Sequence, residues 1–265
     1  MTASWACLLY HEIPDRASGG ATEGYFSVER SRFGAHLDLL TQTGLRGVAL
    51  ESMLDGSEPR SVAITFDDGH ASHYTAALPE LVSRGMTATF FVTTSWVGRP
   101  GYVSWAQLRQ MAELGMSVQS HTHTHPFLSE LDLAGVRYEL QESQARLGAE
   151  LGRAGHSLAL PNGDLPQRPY RHVFHEMGYQ CIATSRWGPN RLLGGGPPKF
   201  IRRYTVRRST GLRRLAAMAT ASSSAWAPEG LRLSGLGVVR ASLGPSRYAT
   251  IRRRILGAFE RGLPQ

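Results

Sequence analysis

Short apolar runs alternate with amphipathic stretches of helical period through most of the chain. ASWACLLYH, SVAITF, TATFFVTT, MSVQSHT, SLAL and QCIATS are rich in β-branched and aromatic residues and bounded by polar or turn residues, the pattern of buried strands. Between them, SVERSRFGAHLDLLTQTG sets Phe33, Leu37 and Leu40 on one helical face and ends at Gly44, a helix with a glycine stop. TAALPELVSRG and PYRHVFHEMG read as further helices, and SWAQLRQMAELG starts on Ser104 as its cap. The amphipathic stretch SELDLAGVRYELQESQARLGAELG is expected to start at Ser129, with Asp132 three residues on completing a capping box. Strands alternating with helices predict an α/β fold built on a parallel sheet or a β/α barrel, with its working end at the carboxyl ends of the strands.

Beyond about residue 207 the alternation fades. ATASSSAWAPEG reads as a linker, and the last stretch, RLSGLGVVRASLGPSRYATIRRRILGAFERG, reads as a basic amphipathic segment. Charge divides the chain at the same place. Residues 207–265 hold eleven arginines against Glu229 and Glu260, a net of +9 within a total of +8, which leaves about -1 for the rest. Such a tail suits the surface of an anionic membrane. It matches no nucleic-acid motif and its aromatic residues are sparse, so no nucleic acid is expected as a partner. No apolar run reaches the length of a transmembrane helix, MTASWACLLYHEIPDR reads as a first strand rather than a signal peptide, and Cys7 and Cys181 form no redox or metal motif. The expected location is therefore cytoplasmic, with a peripheral membrane contact through the tail.

Two clusters of chemistry-bearing residues fall at predicted strand ends. TFDDG closes one strand with Asp67 and Asp68, adjacent carboxylates that repel each other unless a cation or a shared proton stabilises them. The plain alternative is an Asp-Asp-Gly turn capping the next helix. QSHTHTHPF places His121, His123 and His125 at alternate positions: on a strand all three share a face, on a helical turn only His121 and His125 do. One carboxylate and two imidazoles make a metal-binding triad with open positions, leaving the other aspartate as a base.

With TFDDG (65–69) and HTHTH (121–125) about 50 residues apart, the chain resembles the polysaccharide deacetylases of the NodB-homology type, carbohydrate esterase family 4. The resemblance covers roughly residues 5 to 206. It implies a deformed (β/α) barrel of about seven parallel strands over 1–206, followed by a basic C-terminal extension over 207–265. By the same resemblance Asp68, His121 and His125 hold a divalent metal, Zn2+ first, with Ni2+, Co2+ or Fe2+ fitting the same ligands. His123 falls on a variable position, Thr122 braces the loop, and Asp67 is the general base.

The third motif departs from the common Arg-Pro-Pro-Tyr form. LALPNGD (158–164) is similar instead to the Tyr-Pro-x-Gly version of the poly-N-acetylglucosamine deacetylase branch, which brings Pro161 to the substrate and makes the backbone N–H of Asn162 an oxyanion donor. LLYHEI (8–13) matches that branch's first-strand motif and gives His11 the general-acid role; no histidine follows His175. Arg203, in IRRYTV, is a candidate for the missing positive charge and for substrate binding, while His70, Trp105 and Trp187 are candidates for the cleft wall. The implied function is metal-dependent removal of N-acetyl groups from an N-acetylglucosamine-like glycan or a lipid-linked intermediate. The alternative is a catalytically inactive carbohydrate-binding protein on the same fold.

Overall fold

The computed structural model describes residues 4–15, 24–54, 58, 60–152, 154–191, 199–222, 247 and 250. In chain order its elements are β1 (Ser4–Trp5), β2 (Cys7–Tyr10), α1 (Arg30–Gln42), β3 (Arg46–Val48), α2 (Leu50–Leu54) and β4 (Ser61–Phe66). A wide helical turn, His73–Ala77, runs into α3 (Leu78–Val82), then β5 (Thr89–Val92), α4 (Trp105–Glu113), β6 (Ser117–Ser120) and α5 (Leu133–Leu151). The chain continues through β7 (Ser157–Ala159), α6 (Val173–Glu176), β8 (Cys181–Ala183), β9 (Asn190–Arg191), β10 (Lys199–Ile201), β11 (Tyr204–Thr205) and α7 (Leu212–Ala219).

Among the described residues, nine strands form one curled sheet in which every pairing is parallel, ordered β10-β8-β7-β6-β5-β4-β2-β11, with β3 beside the first half of β4. Parallel pairing with helical crossovers buries both faces, which is why the strands read as continuous apolar runs. The resemblance implies about seven strands and the sequence pattern marks six; the further pieces are β3, whose RGV is too short to show a period, and β10 and β11, which divide one stretch between them. That stretch sets the curvature. Residues 199–201 pair with β8 and residues 204–205 pair with β2, so a single extended segment bridges the two sides of the sheet. Arg202 and Arg203 stand at the crossover.

The main core lies between the sheet and its helices: Phe33, Leu37 and Leu40 of α1 pack with Tyr10, Phe66 and Phe90, the last two rings stacked at 4.7 Å. Each such buried side chain contributes roughly 1.5–3 kcal/mol. Ser104 and Gln107 make the expected reciprocal cap on α4. The start of α5 differs from the expected one. Asp132 is itself the cap, accepting from Gly135 N at 2.8 Å, while Ser129 lies in a separate short turn and donates its N–H to Asp164. A short polar side chain satisfies the helix N–H groups from either place, and the Leu128–Glu130 turn claims Ser129 first.

The expected extension begins on the domain. Val206 donates to Leu9 O, Arg208 N to Tyr25 O, and α7 buries Leu215 and Met218 against α1. The expected linker beyond 222 and the basic segment expected to meet a membrane lie outside the described residues, apart from Arg247 and Thr250. Among the described residues, no helix is long and apolar enough to cross a membrane.

Candidate active site

β4 delivers the two aspartates. Its last residue, Phe66, pairs in register with Tyr10 of β2, so Asp67 and His11 leave the sheet side by side at the carboxyl ends of neighbouring strands. Asp68 and Gly69 both take left-handed backbone, φ 78° in each. Such a conformation is uncommon for a residue with a Cβ and persists where the surroundings over-determine it.

Asp68 faces two histidines from the end of β6. Its Oδ1 lies 3.3 Å from His121 Nε2 and 3.5 Å from His125 Nε2, and one ligand atom from each of the three lies within 4.8 Å of the others. His121 is 2% exposed and its Nδ1 donates to the Ala159 carbonyl of β7 at 2.9 Å. In the neutral ring that bond puts the proton on Nδ1 and leaves Nε2 a free lone pair turned toward Asp68, the orientation a metal ligand needs. His123 points elsewhere, its Nδ1 bonded with Thr94 Oγ1 at 2.9 Å. Two nitrogens and one carboxylate oxygen, gathered and pre-oriented, fit a divalent cation of the zinc type.

The electrostatics agree with that fit. Burial works against the charge on Asp68, but the hydrogen bond and charge of His121, with His11 and His125 behind, hold its carboxyl well below the usual carboxylate range. Burial also works against a charged His121, yet Asp67 and Asp68 outweigh it and raise that imidazole's pKa, while burial and the nearby His121 push His125 down to about 4.

The loop that carries the histidines is clamped. Thr122 and His125 are both left-handed, at φ 65° and 64°. Thr122 Oγ1 accepts from His125 N at 3.1 Å, and Glu139 of α5, 4% exposed, accepts from His123 N at 2.9 Å, from Thr124 N at 2.8 Å and from the Thr124 hydroxyl at 2.5 Å. Sequence reasoning did not single out Glu139. Its signal is a charged residue on the buried stripe of α5, between Val136 and Leu140.

Asp67, 4% exposed, has a different partner. Arg203 grips it with Nη1 to Oδ1 at 2.7 Å and Nη2 to Oδ2 at 2.8 Å, while its Nε donates to Thr184 O at 2.9 Å. Burial alone would raise the Asp67 pKa; the Arg203 charge, with His121, brings it below the usual value and keeps the carboxylate ionised. Arg203 is wholly buried, so it does not line the substrate cleft as expected. It is the cation that the third motif lacks, delivered from the β10–β11 crossover.

His11 lies beyond Asp67 with its ring 4.9 Å from that of Phe26. Burial lowers its pKa, opposed by the charges of Asp68 and Asp67. Its carbonyl accepts from His73 Nε2 at 2.7 Å, which fixes the backbone that carries the ring. After β7, the bond of His121 to Ala159 O is followed closely by buried Pro161 and by exposed Asn162 in left-handed backbone, φ 55° and ψ 16°. A Cβ on the next residue, Gly163 (φ 62°), would meet Ser185 Cβ at 2.8 Å, which accounts for the glycine in this turn. Trp187 is not at the metal cluster. It is 8% exposed, edge-on to Tyr204 at 5.6 Å, with Arg207 and Arg214 over its faces, because the core behind β11 needs a large ring there. Trp105, the first residue of α4, packs against the main core.

Comparison with known proteins identifies relatives of this chain. The family model described as polysaccharide deacetylase matches residues 55–182. A putative polysaccharide deacetylase of Bacillus subtilis, YxkH, is 31% identical over 143 residues, which are 52% of this chain and 47% of that protein. The poly-beta-1,6-N-acetyl-D-glucosamine N-deacetylase of Escherichia coli is 25% identical over 140 residues, 44% of this chain and 20% of that one. The chain thus spans about half or less of the length of these relatives. Among solved structures, IcaB from Ammonifex degensii superimposes with a TM-score of 0.71 at 27% identity, covering 83% of this chain and 98% of that one.

Proposed function

We propose, for a chain that belongs to the polysaccharide deacetylases of the NodB-homology type, a metal-dependent hydrolase that removes N-acetyl groups from an N-acetylglucosamine-like glycan, free or lipid-linked. The observation that carries the reading is the pairing of two different carboxylates at one strand end: Asp68 turned to two histidines, Asp67 held ionised by a buried arginine. The amide as the bond cleaved is supported by the N-deacetylase named among the relatives.

Asp68, His121 and His125 hold the cation, which when bound supplies Lewis-acid polarisation of the acetyl carbonyl and a lowered water pKa. Asp67 takes the proton of the attacking water, and Arg203 keeps its carboxylate charged and aimed. The backbone N–H of Asn162 donates to the oxygen that gains charge as the carbonyl carbon becomes tetrahedral. His11, beside Asp67, gives its proton to the leaving nitrogen, so that acetate and a free amine leave. Pro161 shapes the turn that presents Asn162.

Two variants divide the roles. Asp68→Ala is expected to lose both zinc and acetate release, whereas Asp67→Asn is expected to keep one zinc per chain and lose acetate release. Full zinc binding by Asp68→Ala, or full turnover by Asp67→Asn, contradicts the assignment.

A further inference from the structure

His11 is aimed by its backbone. Its ring Nδ1 is buried and makes no hydrogen bond among the described residues, so no carboxylate or carbonyl holds the imidazole from behind, the usual means of orienting a histidine that moves protons. The segment that carries the ring is held at every step instead. Tyr10 O accepts from Asp67 N at 3.1 Å, His11 O from His73 Nε2 at 2.7 Å and Glu12 O from Val28 N at 3.0 Å, while Ile13 N donates to Ser72 Oγ at 2.9 Å. Two of these partners are side chains, and both stand at the entry to the wide turn His73–Ala77.

The place of His73 suits an apolar ring. It is 1% exposed, 5.1 Å from the ring of Phe66 and 5.6 Å from that of Phe90, and its Nδ1 is buried without a hydrogen bond. Leaving such a nitrogen unpaired costs roughly 1–3 kcal/mol, which a phenylalanine would avoid. The compensation is the Nε2–H: a carbonyl only accepts, so the bond to His11 O puts a proton on Nε2. Burial pushes the His73 pKa down to about 4, which keeps the ring neutral, in that one tautomer, through the neutral pH range. The turn is a second mark. Its first carbonyl, His73 O, accepts from Leu78 N five residues on, one residue wider than an α-helix, a form frequent at functional sites.

We propose that His73, with Ser72 beside it, is a positioning residue for the proton donor His11: the pair fixes the backbone on both sides of Glu12, and with it the direction in which His11 presents its ring to the leaving nitrogen. The inference rests on the deacetylase reading. A donor misplaced by about 1 Å costs up to roughly 100-fold in rate. The consequence is selective. An amine must take up a proton as the C–N bond breaks, whereas a nitrophenolate leaves an ester without one. His73 therefore acts on amide cleavage, and neither on the attack of water nor on metal binding.

The test compares amide with ester. His73→Phe keeps a ring and loses the donor; His73→Gln carries an amide N–H that reaches the same carbonyl. Both are measured beside the wild type as zinc-loaded full-length protein, on the β-1,4- and β-1,6-linked tetramers of N-acetylglucosamine and on 4-nitrophenyl acetate. On the tetramer that the wild type deacetylates, His73→Phe is expected to lose about tenfold or more in kcat with KM unchanged. It is expected to release nitrophenolate at the wild-type rate and to keep one zinc per chain, and His73→Gln is expected to recover most of the loss. Equal losses on amide and ester, a loss that His73→Gln does not recover, or wild-type amide turnover in His73→Phe overturns the role. Circular dichroism shows whether each variant is folded. Should His73→Phe fail to fold, Ser72→Ala decides in its place, with the same amide-selective loss expected. No acetate from either tetramer with the wild type overturns the deacetylase reading and this role with it, whereas wild-type release without amide selectivity in the variants overturns the role alone.

Discussion

Arg203 meets Asp67 with both Nη atoms, at 2.7 and 2.8 Å, in a place where neither residue is more than 4% exposed. A pair so buried is weak evidence for added stability but strong evidence for dependence of each member on the other. Arg203→Leu leaves a buried carboxylate without its counter-charge and is expected to destabilise the fold by about 3–5 kcal/mol, read from urea unfolding. Arg203→Lys keeps the charge but loses the two-pronged fit; it is expected to fold and to lose roughly 10–100-fold in kcat, by analogy with residues that orient site ligands. Wild-type turnover in Arg203→Lys contradicts the positioning role.

Glu139 holds the loop of the proposed metal ligands through its backbone. Glu139→Ala removes the acceptor of His123 N, Thr124 N and the Thr124 hydroxyl, and releases the left-handed turn that aims His125. Zinc affinity, measured by competition with a chelating dye, is expected to fall roughly 10–100-fold. Unchanged affinity in a folded variant shows that the turn holds without the clamp.

His11→Gln separates proton donor from ligand. Loss of a general acid is expected to lower kcat by about 10²–10⁴ while one zinc per chain remains. Loss of zinc instead assigns His11 to the metal.

Acid stability has an identifiable source away from the site. His36 is wholly buried, 3.2 Å from Tyr10 Oη, and burial pushes its pKa down to about 4 from 6.5. Between those values the unfolded chain binds the extra proton, so stability is present at neutral pH and is lost as pH falls through that window. The loss is about 2 kcal/mol at pH 5 relative to neutrality for this one group. Urea midpoints at pH 7 and pH 5 check it: His36→Leu is expected to show a shallower drop than the wild type. Equal drops assign the acid sensitivity to other groups.

The strand runs, the helix stop at Gly44 and the Ser104 cap are written in local pattern, and so are the two motifs whose residues meet at the metal cluster. The first three depend on period and spacing alone, whereas which residues of the two motifs meet is implied only by the family resemblance. What the sequence conceals is partnership across the sheet. Arg203 sits among other arginines in IRRYTV and looks like the start of a basic tail until the β10–β11 crossover turns it inward toward Asp67. Trp187 is a groove-wall candidate on the sequence, where aromatic residues are more often core, and the core behind β11 absorbs it. Trp96, with its ring 5.0 Å from that of His125, and Tyr102, 5.1 Å from Trp96, carry no local mark of their position, since only the pairing of their loop with residues 69–71 places them there.

The most direct test of the account is acetate release from N-acetylated oligosaccharides by the zinc-loaded protein, with Asp68→Ala beside it and free amine counted alongside acetate. The account predicts equal amounts of acetate and amine from the wild type and neither from Asp68→Ala. Zinc bound at one per chain with no acetate from any N-acetylated glycan contradicts it, and leaves a carbohydrate-binding protein on a deacetylase fold.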